Sequence, residues 1–322
     1  MHIRLTRSLL GAATALALAG ASLPAQAQDF INILTGGTSG VYYPLGVAIS
    51  KVFSEKVPGS RPSVQATKAS VENLNLLQQG KGEIGFTLGD SLALGWAGDE
   101  EAGFRGKLDK LRGMTAIYPN YIQIVASKDS GIKTLADLKG KRISVGAPKS
   151  GTELNARAIL AGAGLTYKDL GKVEYLPFGE SVELMKNRQL DATLQSAGLG
   201  VSSIRDLASS VPIVVVEIPA AIVDKVGAPY VKVMIPANTY EGQTAAVPAA
   251  AVVNYLVTHS GMSDDKVYQM TKALYESLPD LGAAHAAAKD IKLESALVGM
   301  PVPMHPGAQR YFDEKGVKKQ GS

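Results

Sequence analysis

Short apolar runs alternate with segments of helical period along most of the chain. Phe30–Leu34 reads as a strand running into the polar turn Thr35–Gly40, and apolar residues then recur at helical spacing from about Val41 to Val57. Ser63–Thr67 predicts a second strand. Ser70-Val71-Glu72-Asn73 opens a helix that carries Leu74, Leu76 and Leu77 and stops at Gly80, and Glu83–Leu88 predicts a third strand. Arg142–Val145, Val173–Leu176, Ala192–Gln195 and Pro212–Ile218 continue the series, with helices from Thr152 and over 181–187 between them. Alternating β and α segments with connections this short predict α/β sheets rather than separate α and β blocks. From Asp264 onward the pattern is mostly helical, with DDKVYQMTKALYES the clearest amphipathic segment.

Two apolar runs, Met114–Ser127 and Val247–His259, are longer than the rest. An internal echo accompanies them. LLQQGKGEIGF (76–86) and LMKNRQLDATL (184–194) each run helix end, polar turn, acidic residue, strand. Two similar lobes joined by long hinge strands account for both features. The expected organisation is a first lobe over 28–117, a second over 118–243, and a hinge return with the rest of the first lobe over 244–322.

Residues 1–27 differ in kind. Arg4 and Arg7 precede an apolar stretch from Leu9 to about Gly20, and the segment closes on Ala25-Gln26-Ala27. That is the layout of a cleavable secretory signal, with cleavage expected after Ala27. The apolar stretch is short of the ~20 residues a membrane span requires. No cysteine follows it to carry a lipid, so the mature chain is expected free in the periplasm.

Composition narrows the function. The chain has 322 residues, 46% hydrophobic and 19% charged, enough to bury a sizeable core. Its 33 basic and 29 acidic residues nearly balance, which argues against nucleic acid as a partner. The absence of cysteine excludes thiol catalysis, zinc–thiolate and iron–sulfur sites, and disulfides. Four histidines leave little for a metal site, and no cofactor is expected.

Gly89-Asp90-Ser91-Leu92 matches the serine-hydrolase signature GDSL and follows a strand. A nucleophilic serine needs a histidine base and an orienting acid. Enzymes with this signature place an Asp three residues before that histidine, whereas positions 256, 282 and 302 hold Leu, Gly and Val. A secreted GDSL-type hydrolase stands as the alternative reading. Gly146–Thr152 resembles a phosphate loop but has Thr152 where the lysine belongs. What it keeps is a strand, a Gly/Ser-rich loop and a helix start, which can hold an anion or simply cap the helix. The same device recurs at Gly37–Tyr43 and Lys68–Asn73. Three polar βα turns facing one cleft suit a small anion held by amides and hydroxyls. The candidate contacts are Gly37, Thr38, Ser39 and Tyr42, then Lys68, Ala69, Ser70, Val71 and Asn73. Asp90 and Tyr118 join them, with Lys149, Ser150, Gly151, Thr152, Ser196 and Ala197 from the second lobe.

LTGGTSGVYYPLG (34–46), KASVENLNLLQQG (68–80), GKRISVGAPKSGTE (140–153), IPANTYEGQTAAVPAAAVVNYLVT (235–258) and PMHPGAQRYFDEKG (303–316) closely resemble the TAXI family of solute-binding proteins. These are receptors of tripartite ATP-independent periplasmic (TRAP) transporters, and the resemblance spans essentially the whole mature chain. It implies a type II periplasmic binding-protein fold, a central cleft that closes on ligand, and delivery to a membrane permease. The implied ligands are small carboxylates such as glutamate or 2-oxoglutarate. Family members often carry Gly where this chain has Ser39, Lys68 or Lys149, and a Gly-x-Pro turn where it has Ala197-Gly198-Leu199-Gly200.

Overall fold

The structure is a computed structural model and describes residues 29–318. The expected signal segment therefore lies outside the described residues. In lobe one, β1 (Asp29–Leu34), α1 (Tyr42–Lys56), β2 (Ser60–Gln65), α2 (Ser70–Gln78), β3 (Ile84–Leu88) and α3 (Gly89–Ala97) follow in order. The long strand β4 (Leu111–Ser127) leads into lobe two. There β5 (Arg142–Ser144), α4 (Gly151–Gly162), β6 (Lys172–Glu174), α5 (Phe178–Lys186) and β7 (Ala192–Ala197) repeat the βαβαβ pattern. After them come α6 (Ser202–Ser210), β8 (Ile213–Val216), α7 (Ala220–Val226) and β9 (Val231–Ile235). The second long strand, β10 (Val247–His259), returns the chain to lobe one, where α8 (Asp264–Tyr275), α9 (Leu278–Ala284) and α10 (Pro306–Glu314) pack.

The sheet runs β2-β1-β3-β10-β4-β7-β5-β6, with β8 on β4 and β9 on β10. β1–β3 are parallel to one another, as are β5–β7, while β4 and β10 are antiparallel to each other and to their neighbours. One end of β10 pairs with β3, through Asn254–Val257, and the other with β9, through Val247–Ala251. Each long strand thus belongs to both lobes. Pro119 lies opposite Val253 at the crossing, and the register shifts between Val253 and Tyr255. Proline gives the ladder no N–H, and an irregularity there bends the strand pair between the lobes.

The internal echo is matched in three dimensions. Gly80 (φ 66) and Arg188 (φ 58) end α2 and α5 in the same left-handed conformation. Lys81 N–H then returns to Leu76 O at 2.9 Å, and Gln189 N–H to Leu184 O at 2.8 Å. That hydrogen bond past a left-handed residue is a helix-terminating motif, and it falls at the matching position of the echo in each lobe. Side chains of Ile31, Ile33, Leu45, Phe53 and Phe86 fill the core of lobe one, and Ile143, Val145, Ile159, Leu160 and Leu194 that of lobe two.

The GDSL segment follows β3, as expected, and begins helix α3. Two features differ from the sequence expectation. α6, α7 and β9 did not stand out, because β9 is an exposed edge with only Ile235 buried and α7 buries only Val223. β2 lies at Ser60–Gln65, a few residues before the predicted strand. Its exposed and half-buried residues alternate without an apolar run to mark its start. Among the described residues, no helix is long and apolar enough to cross a membrane.

Candidate functional site

The βα turns of both lobes meet over a cavity of about 80 Å³. A single water needs roughly 10–15 Å³ on this scale, so the space takes a small solute. Lobe one lines it with Gly36, Gly37, Gly40, Val41 and Tyr42 before and at the start of α1, Thr67–Ser70 before α2, and Leu88. Lobe two adds Ala147, Ser150, Gly151, Thr152, Pro177, Phe178, Ser196 and Ala197, and β4 contributes Tyr118 and Asn120.

The N-termini of α2 and α4 converge there. A Cβ on Gly151 would fall 2.6 Å from Ser70 Oγ, 2.7 Å from a Leu88 methyl and 2.9 Å from Ser91 Oγ. Only glycine allows so close an approach. Glu72 N–H donates to Lys149 O at 3.2 Å beside it, joining the two turns. Helix N-termini carry unpaired N–H groups and the positive end of the helix dipole, so both favour an anion. They are not equivalent, however. Ser150 caps α4 by accepting Glu153 N–H at 3.1 Å, whereas α2 has no side-chain cap and is entered through Ala69 at φ 71, ψ −148. That conformation is nearly glycine-only and costs about 1–3 kcal/mol.

Much of the lining is apolar, from Val41, Leu88, Ala147, Pro177 and Phe178, and its polar side chains include no carboxylate. Among the described residues, Lys68 is its one cationic side chain, and no ion pair engages it. Tyr42 is fixed by donating to Asn254 Oδ1 at 2.5 Å and stacks on Phe86 at 4.9 Å between centroids. Asn254 in turn donates to Tyr118 O at 3.0 Å. Burial pushes the Tyr42 and Tyr118 hydroxyls well above the ordinary phenol range, which keeps both neutral. Among the described residues, Tyr118 Oη and Asn120 Nδ2 find no hydrogen-bond partner, although the two residues are only 2% and 1% exposed. A buried polar group left unpaired costs about 1–3 kcal/mol.

The profile of the NMT1-like family matches residues 33–316. The chain belongs to the NMT1-like family. Among solved structures, it is similar to the binding-protein component of an ABC phosphonate transporter from Pseudomonas aeruginosa. That match has TM-score 0.52 at 12% identity, over 82% of this chain and 80% of the other. It is also similar to a protein of glutathione import in Streptococcus mutans, with TM-score 0.51 at 12% identity, over 82% and 98%. An ancestral arginine-binding protein gives TM-score 0.50 at 14% identity, over 81% and 99%. At these identities the likeness concerns the fold. The architecture is the two-lobed fold of periplasmic binding proteins, with hinge strands and a central cleft.

Of the candidate contacts, Gly37, Tyr42, Lys68, Ala69, Ser70, Tyr118, Ser150, Gly151, Thr152, Ser196 and Ala197 come together around the cavity. The others fall elsewhere. Asn73 spends its amide on Thr35 O (2.7 Å) and Phe86 O (2.9 Å) and accepts from Thr67 Oγ1 (2.6 Å), so it braces the strand ends. The Val71 side chain is in the core. Thr38 and Lys149 are exposed, and Ser39 borders a separate surface groove with Glu180, Glu183 and Asp206. Asp90 turns from the cavity to Asn155 and Tyr230. Ser91 is fully buried, its hydroxyl 3.4 Å from Asp90 Oδ1. It is neither accessible nor beside a histidine, and nothing here supports the hydrolase.

Asn120, Pro177 and Phe178 were missed. The echo held a signal for the last two. In its register, Ala69 and Ser70 correspond to Pro177 and Phe178. Asn120 sits inside a strand, and only the pairing of β4 turns it toward the cleft.

Proposed function

We propose that this chain is the solute receptor of a TRAP-type transporter, capturing a small carboxylate in the cleft and presenting it to a membrane permease. The single observation carrying the ligand reading is the polar part of an otherwise apolar lining: N–H, hydroxyl and amide groups with one lysine and no acid. Such a surface repels cations and satisfies an anion without any group arranged to react with it. The TRAP assignment rests on the TAXI resemblance of the sequence. That permease would use an ion gradient, so no nucleotide site is required in this chain.

The anionic end of the solute belongs at the uncapped start of α2, near Lys68, Ala69 and Ser70. Tyr118 Oη and Asn120 Nδ2 then take a second oxygen of the solute. The remaining N–H groups of Gly151 and Thr152 cover it from lobe two. Glutamate and 2-oxoglutarate carry oxygens at both ends and are of suitable size.

A thermal-shift screen of dicarboxylates, amino acids and keto acids tests the reading. A solute at ~100 times Kd adds ~2.7 kcal/mol to stability. Calorimetry on the hits should show dicarboxylates bound more tightly than cationic amino acids, with the solute recovered chemically unchanged. Preference for a cationic solute would overturn the anion site, and turnover would overturn the receptor.

A further inference from the structure

Asp90 opens α3 in lobe one and is 4% exposed, yet it faces lobe two. Its Oδ2 accepts Asn155 Nδ2 at 2.6 Å and Tyr230 Oη at 2.8 Å, both from the opposite lobe. Oδ1 accepts Ser91 N–H at 2.7 Å, which anchors the carboxyl to its own helix. Asn155 has a second partner. Its Oδ1 accepts Ser196 Oγ at 2.7 Å, and Ser196 lines the cavity. A hydrogen-bonded path therefore runs from the cavity wall through Asn155 to Asp90, and every member sits on β7, α4, α3 or the segment before β9.

We propose that Asp90, Asn155 and Tyr230 form the latch that holds the two lobes closed, and that Ser196 couples it to the solute. These are positioning residues: none of the three lines the cavity, and they act on binding through closure. The inference rests on the cleft being a solute site that opens and closes.

The physical case is one of contrast. Of the other polar contacts between the lobes, Arg157 Nη1 to Glu101 O and Ser202 Oγ to Ser39 O, both at 2.9 Å, are solvent-exposed, where water competes for the same groups. Glu72 N–H to Lys149 O, at 3.2 Å, is a longer bond between neutral backbone groups. The Asp90 contact is buried, so no water competes for its hydrogen bonds. Burial pushes the Asp90 carboxyl above the usual range, opposed by its Tyr230 and Ser91 hydrogen bonds. Opening returns the carboxyl to water, and this desolvation cost of closing limits how tightly the latch holds. It contains no solute atom and forms whenever the lobes meet.

The cysteine-free chain makes a direct test practical. Lys51→Cys and Lys168→Cys place one spin label on an exposed site of each lobe. Pulsed dipolar spectroscopy of the ligand-free protein should show a short-distance population that Tyr230→Phe and Asp90→Asn each deplete. Both variants preserve shape, and an asparagine Oδ1 can still accept Ser91 N–H. With 2-oxoglutarate or glutamate as probe, stopped flow should show dissociation accelerated roughly ten- to hundredfold and association changed less than about twofold. Parent protein without the short distance, or variants that keep it, overturns the latch. So does a lowered melting temperature with unchanged distances, which marks a purely structural role. If neither probe binds, the solute proposal fails, while the ligand-free distances still decide the latch.

Discussion

Lys68-Ala69-Ser70 leads into α2 of lobe one, and in the same register of the repeat Leu176-Pro177-Phe178 leads into α5 of lobe two. Both triplets line the cleft in part, the first with a lysine, a strained turn and a hydroxyl, the second with a proline and an aromatic ring. The turns before α1 and α4 differ in the same sense. Val41 leaves α1 without a side-chain cap, whereas Ser150 caps α4. One topology, used twice, thus gives lobe one the lysine and the hydroxyl of this pair of turns and lobe two the apolar cover, although α5 also lacks a side-chain cap. On the proposed anion reading, recognition of charge falls mainly to the first lobe, and the second adds shape and closure.

Gly151 is where this division is most easily broken. Gly151→Ala puts a methyl into Ser70, Leu88 and Ser91 across the cleft. Overpacking of this kind typically costs 1–3 kcal/mol, so solute affinity is expected to fall roughly ten- to hundredfold. The ligand-free melting temperature should hardly change, since the clash exists only between closed lobes. Calorimetry beside a melting curve checks both. A stability loss as large as the binding loss would place Gly151 in the fold of lobe two instead.

The two lysines sharpen the comparison. Lys68 lines the cavity and Lys149 does not. Lys68→Gln should weaken a dicarboxylate roughly three- to tenfold at low salt and less at high salt, where screening shortens the reach of the charge. Lys149→Gln should change affinity less than about twofold. Equal effects from both would make the field diffuse across the cleft mouth.

Ser150→Ala separates cap from ligand contact. The hydroxyl is already engaged by Glu153 N–H, so its removal should cost about 1 kcal/mol of stability. Affinity should shift little. Chemical denaturation and calorimetry on one preparation read the two quantities.

Acid should distinguish the lobes in stability as well. His305 caps α10 by accepting Gly307 N–H at 3.2 Å and is 1% exposed, and burial lowers its pKa despite Met262 O and Asp264 nearby. The folded protein then binds fewer protons than the unfolded one. Stability is full above the ordinary histidine pKa of about 6.5 and falls as pH drops below it. Once corrected for the slower intrinsic exchange in acid, protection between pH 7.5 and 5.5 should fall in α8 and α10 more than in β5–β7, and His305→Asn should flatten the difference. A uniform response would trace the acid sensitivity to another group.

Periodicity, turns and two long apolar runs determined from sequence alone that the chain is α/β, duplicated and hinged. Those features are local or compositional: a helix shows its period, and a strand shared by two lobes must be long. The βα turns were legible for the same reason, since Gly, Ser and Lys between strand and helix have few other uses. Tertiary structure alone decided which of those residues reach the cavity. Asn73 and Asp90 carry the right chemistry at the right turns, yet carbonyls from β1 and β3 occupy one and lobe two occupies the other. A polar side chain takes whichever partner the packing brings within hydrogen-bonding distance, and that partner can lie far along the chain. Asn120, on a strand with no local sign of function, keeps its donor free because the pairing of β4 places no acceptor beside it.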